Sequence, residues 1–203
     1  AKSRDIARKE KVFRDALELT YHKFLDPYYT TNPLEILLNG ESIRPWDPYG
    51  RDISDHVIDK DVPITVVHEN GEKESLGEIF VKGYILPPGP ELSKEQASAL
   101  VVGIPPAGLG HRQGTPTSRQ GIYVYRENRL IAFNTWLGAY DIEPHYNLMR
   151  VDFSFDHRQD EIFALDIKKS QIKIEADLVD YLTKLFSPFR TETNKRSRRN
   201  ERK

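Results

Sequence analysis

The sequence predicts an α+β domain: one mixed, mostly antiparallel sheet with helices largely on one face. Three observations predict it. Apolar residues alternate with a period of two at 120–131, 148–155 and 163–174, the mark of half-buried strands. The pairs Asn39-Gly40, Asn70-Gly71 and Glu127-Asn128 mark tight turns beside such runs. Apolar residues at helical spacing appear near both ends of the chain, over 3–25 and from 175 onward.

Composition narrows the class. A chain of 203 residues accommodates one large domain or two small ones and buries a real core. With 38% hydrophobic and 30% charged residues, it fits a globular protein. A net charge of -1 excludes a strong global field, so any nucleic-acid surface has to be local. The chain has no cysteine, which excludes disulfides, zinc–thiolate sites and cysteine nucleophiles. That usage is compatible with a cytoplasmic location, which is the expectation here. No apolar run approaches the roughly 20 residues of a membrane span, so no membrane partner is expected. His56, His68, His111, His145 and His157 are scattered without metal-ligand spacing, and the chain has no G-x-S-x-G elbow, which argues against an independent hydrolase.

In order along the chain, Ile6, Phe13, Leu17, Tyr21 and Phe24 place one apolar stripe on a helix over 3–25, ending near Pro27. Arg4, Arg8, Lys9, Lys11, Arg14 and Lys23 fall mostly outside that stripe, as a solvated face or a nucleic-acid contact. Leu34 to Leu38 reads as a short strand before the Asn39-Gly40 turn. Pro45 and Pro48 stiffen the chain around Trp46, a packed aromatic at a rigid corner. Residues 50–62 read as polar connection, and Ile64–His68 and Ile79–Ile85 as two strands around Asn70-Gly71. Ser93 caps a short helix over Lys94–Leu100, with Gln96 at the capping-box position.

The glycine- and proline-rich stretch 103–118 reads as a surface loop. Its Gly108, Gly110 and Gly114 have the wrong spacing for a dinucleotide turn. In QGIYVYRENRLI, residues 120–131, Ile122 and Val124 face one way and Tyr123 and Tyr125 the other, before a turn and a return strand. LMRVDFSF, 148–155, is a further strand, expected beside 163–174 and antiparallel to it.

The stretch FALDIKKSQIKI, 163–174, alternates, breaks at Lys168-Lys169, and resumes. A lysine held at a strand end is a compact cation suited to a phosphate oxygen; it also serves on edge strands simply to block unwanted pairing. A helix follows from Glu175 to Leu185 and is expected to stop at Pro188. Arg190, Lys195, Arg196, Arg198 and Arg199 lie in a tail without aliphatic residues, expected to be disordered and read either as a phosphate-backbone anchor or as a solubilising linker. The expected organisation is a linking helix at 1–30, one main domain at 31–188 and a basic tail at 189–203.

Taken together, GIYVYRENRLI, RVDFSF and ALDIKKSQI resemble the second domain of the GHKL ATPases, the superfamily of MutL, the ATP-hydrolysing component of DNA gyrase and the MORC proteins. The similarity is nearest to bacterial MORC-like and MutL-like members and covers 120–175 well; LLNGESIRPWDP resembles the start of the same domain less specifically. The resemblance implies a transducer domain, a ribosomal-protein-like fold with a left-handed βαβ crossover. It implies that Lys169, with Lys168 as its neighbouring alternative, reaches the γ-phosphate of ATP bound with Mg by the preceding, N-terminal domain. Arg129 would help hold the adjacent hairpin. Homodimerisation and the engagement of DNA or a partner would follow from nucleotide binding, in DNA repair or in defence against phage DNA.

The sequence departs from the family at Lys168, where an asparagine or proline is usual, and at Glu127, where asparagine is usual. No helix with the Glu and Asn of the nucleotide pocket, no D-x-G-x-G loop and no glycine-rich lid is found in it. The expectation is therefore a C-terminal part of a longer ATPase, inactive alone. The alternative is a stand-alone nucleic-acid-binding module that uses the basic helix face and tail.

Overall fold

Among the described residues, seven strands and four helices give the chain its frame in the structure, a computed structural model that describes residues 2–97, 100, 116–160, 162–163 and 176–201. Helices are α1 (Lys2–Thr20), α2 (His22–Leu25), α3 (Lys94–Ala97) and α4 (Ala176–Glu201). Strands are β1 (Leu37–Leu38), β2 (Glu41–Ser42), β3 (Asp55–Val67), β4 (Lys73–Ile85), β5 (Gly121–Arg126), β6 (Arg129–Thr135) and β7 (Met149–Phe155). The first two form a small separate hairpin; the other five form one sheet in the order β3-β4-β7-β5-β6. All pairings are antiparallel except β5 with β7, which run parallel at the centre. The α+β class and the mixed, mostly antiparallel sheet are as expected.

The turn residues explain the hairpins. Asn39 and Gly40 have φ of 53° and 83°, and Glu127 and Asn128 have φ of 49° and 65°; two consecutive positive values make the tight turn that matches strand twist. Only Gly121 admits the approach of β6 at the start of β5: it has φ of 91°, and a Cβ there would lie 2.6 Å from the Thr135 carbonyl oxygen. Ser93 and Gln96 form the expected capping box, the hydroxyl accepting from the Gln96 amide at 3.2 Å and the Gln96 side chain accepting from the Ser93 amide at 2.8 Å.

Alternation divides the sheet into two faces. Ile122, Val124, Val151, Phe153 and Phe155 join Ile79, Val81 and Trp136 in an apolar core that Leu182 and Phe186 of α4 close. Tyr123, Tyr125, Tyr84 and Phe133 face the other way and meet Leu19 and Tyr49. α1 touches this aromatic face only near its end: Leu19 is buried, whereas Ile6 and Phe13 are 66% and 54% exposed. The expected apolar stripe of 3–25 is thus not a continuous buried face.

Two further expectations are corrected. Residues 50–62 are not all connection: β3 starts at Asp55. It is an edge strand, so its outward positions carry charge, and charge hid it. Pro63 fits the same edge, beside a register shift. The tail is not disordered among the described residues, because α4 continues through Pro188 to Glu201. Proline removes the N–H that would bond the Lys184 carbonyl. Anchors on either side hold the helix: Phe186 in the core before it, and beyond it the fully buried Thr193, its hydroxyl satisfied within the helix by the Phe189 carbonyl at 2.8 Å. The Ser197 hydroxyl then donates to the His145 carbonyl at 3.3 Å.

Candidate functional site

Lys168 and Lys169 lie outside the described residues, and so does their strand's expected antiparallel pairing with β7. The structure does describe what leads into them. Phe163 is fully buried, its ring 4.2 Å from that of Phe155 and 5.7 Å from that of Phe153. Just before it, Asp160 accepts two hydrogen bonds of 2.6 Å from Arg126, at the end of β5. Glu127, in the β5–β6 turn, accepts from the His157 backbone amide at 3.2 Å, and its side chain meets the His157 ring at 2.7 Å. The turn is therefore tied to the segment approaching Lys168 by Arg126 and Glu127. Arg129, the expected holder, instead points its guanidinium toward the Tyr21 ring, 5.9 Å away. Of the two arginines, it is Arg126 whose fork grips a carboxylate with two parallel bonds.

A second constellation was not foreseen. Lys23 is 4% exposed, and its ammonium lies 2.6 Å from Asp152 of β7. It also donates to the Ser154 hydroxyl at 2.8 Å, and that hydroxyl donates to Asp152 at 2.5 Å. The same ammonium sits 3.7 Å from the Tyr125 ring centroid and 4.9 Å from that of Tyr29. Burial lowers the Lys23 pKa, against the pull of the Asp152 carboxylate.

Beside it, His22 is buried with Nδ1 3.1 Å from the Leu19 carbonyl and Nε2 3.3 Å from the Tyr125 hydroxyl. Burial brings the His22 pKa down to about 4, so the ring is neutral at pH 7. Tyr49 donates its hydroxyl hydrogen to the Tyr125 hydroxyl at 2.8 Å, and burial pushes both phenols well above their ordinary value. Chemically this is a closed network: each donor faces an acceptor within the fold. It fastens α2 to the central strand β7. Sequence spacing put Lys23 outside the apolar stripe, and no local signal marks Asp152 as its partner, 129 residues away.

The third place is the outer half of α4. Ser187, Arg190, Thr191, Asn194, Lys195 and Arg198 recur at steps of three and four, so they share one face. With Tyr146 they line a cavity of about 300 Å³. The Arg190 guanidinium is held between two tyrosine rings, 3.4 Å from the Tyr140 centroid and 4.0 Å from the Tyr146 centroid. Tyr140 is fixed in turn by its hydroxyl bond to the Thr183 carbonyl.

Of the expected nucleic-acid residues, Arg190, Lys195 and Arg198 come together here. Arg196 does not join them: it pairs with Asp55 at 2.7 Å and Glu192 at 3.0 Å. Arg199 lies on α4, and its side chain is outside the described residues.

Among the described residues no group of three acidic or histidine side chains is placed to hold a metal ion, and no helix is long and apolar enough to cross a membrane. Comparison of the chain with known protein families, with curated proteins and with solved structures finds no match in any of the three.

Proposed function

We propose that this chain is the transducer-like part of a GHKL-type ATPase of the MORC or MutL kind. Lys169, with Lys168 beside it, senses the γ-phosphate of ATP held with Mg by an N-terminal domain of the same protein. One observation supports the reading most. Two of the three stretches that carry the resemblance meet as one unit: β5 and β7 run parallel side by side, and Arg126–Asp160 and the Phe155–Phe163 contact tie both to the residues just before the third. In this reading the cation that follows Phe163 in the chain meets the terminal phosphate, so presence or loss of that phosphate changes how the two domains pack. Dimerisation and the engagement of DNA or a partner then follow from ATP binding, in the cytoplasm. The reaction itself belongs to the domain that binds the nucleotide.

The test is Lys169→Ala beside Lys168→Ala, each in the intact ATPase. Removing one preorganised charge from a developing anion slows turnover by about 10²-fold. Lys169→Ala is expected to show that loss with ATP binding retained; unchanged turnover in both variants refutes the assignment.

A second reading, nucleic-acid binding by this chain itself, is favoured by the convergence of Arg190, Lys195 and Arg198 on one face of α4. It predicts salt-sensitive binding of an oligonucleotide by the chain alone.

A further inference from the structure

The cavity on α4 has features that an ordinary solvated helix face lacks. Lysines and arginines on helix surfaces usually lean toward carboxylates three or four positions away, as Arg196 does toward Glu192. No carboxylate among the described residues pairs with Arg190, Lys195 or Arg198, and none lines the cavity. Arg190 is also preorganised. Stacked between Tyr140 and Tyr146, its guanidinium plane is fixed before any ligand arrives. Its Nε is buried without a hydrogen-bond partner, and so is Oδ1 of Asn194 one turn on. Around these stand two hydroxyls, Ser187 and Thr191.

We propose that this cavity is a binding site for a phosphate group. Three cations with the Ser187 hydroxyl and the Asn194 amide around one small space suit an anion with several charged oxygens better than a single carboxylate. Arg190 supplies the fixed fork, Lys195 and Arg198 supply mobile charge at the rim, and Ser187 supplies a hydroxyl donor, while the Thr191 hydroxyl donates to the Ser187 carbonyl at 3.1 Å. The phosphate belongs either to a free phosphoanion or to a nucleic-acid backbone running along α4. This inference deepens the nucleic-acid reading and is independent of the role of Lys169.

The experiment is an NMR titration of the chain with inorganic pyrophosphate, and in parallel with a short single-stranded oligonucleotide. Saturable shifts of the Ser187, Thr191 and Asn194 amides are expected with pyrophosphate. Lys195→Gln and Arg198→Gln, both at rim positions that leave the fold intact, should each weaken it about tenfold, in line with a lost charged hydrogen bond. Arg190→Lys keeps the charge but loses the fork, and should weaken it as well. Oligonucleotide binding that is lost in the same variants, with a salt slope smaller by about one per cation removed, identifies a nucleic-acid phosphate. Pyrophosphate binding without oligonucleotide binding identifies a free phosphoanion and sinks the nucleic-acid reading alone. Absence of pyrophosphate shifts, or equal affinity in all three variants, overturns the site even if the oligonucleotide still binds elsewhere.

Discussion

Asp152→Ala is expected to be the most damaging single polar change in the described fold. It leaves the Lys23 ammonium buried with the Ser154 hydroxyl and two aromatic faces as its remaining partners. Truncating one member of a buried ion pair costs about 3–5 kcal/mol, because the stranded charge keeps its full desolvation penalty. For a domain whose total stability is about 5–15 kcal/mol, that is a large fraction. The paired change Lys23→Met with Asp152→Ala removes both charges and should recover most of the loss, since an apolar pair of similar volume is often neutral. Equilibrium urea unfolding at pH 7 measures both, read as a shift in midpoint at constant slope. A single-variant loss below about 1 kcal/mol would place the pair in the range of solvent-exposed ion pairs. A double variant no better than the single would mean that packing, not stranded charge, sets the penalty. Either result refutes the reasoning.

Other consequences follow from the same geometry. Because burial lowers the His22 pKa to about 4 from an ordinary 6.5, the unfolded chain takes up a proton that the folded chain refuses. Its contribution is fully present above pH 6.5 and declines as the pH falls toward 4, on the order of 3 kcal/mol in all. His22→Gln should flatten that part of the stability–pH curve relative to the parent; parallel curves would contradict it. Pro188→Ala restores a donor to the Lys184 carbonyl in mid-helix, and is expected to raise the urea midpoint by the equivalent of about 1–3 kcal/mol. A lower midpoint would contradict it.

Local chemistry was legible in the sequence; long-range pairing was not. The turns at Asn39-Gly40 and Glu127-Asn128 and the Ser93–Gln96 box read directly, because each needs particular residues over only a few positions. The split of β5 into an aliphatic and a tyrosine face read equally well, since a period of two settles it. Lys23 did not, because its burial depends on Asp152, a residue distant in the chain. The helix beyond Pro188 was hidden for another reason. Its inward stripe is polar: Arg190 meets tyrosine faces, Ser197 meets the His145 carbonyl, and the buried Thr193 bonds a carbonyl of its own helix. Hydrophobic periodicity cannot register such a stripe. The edge position of β3 masked its first half in the same way, with charge on the open side.

The most direct measurement is of distance to the terminal phosphate itself. An ATP analogue carrying a photoreactive group on its γ-phosphate, irradiated with the intact ATPase and mapped by mass spectrometry, should label the peptide bearing Lys168 and Lys169. ATP should compete the label away, and ADP should compete only weakly. Labelling confined to other parts of the protein, with this peptide untouched, would contradict the account.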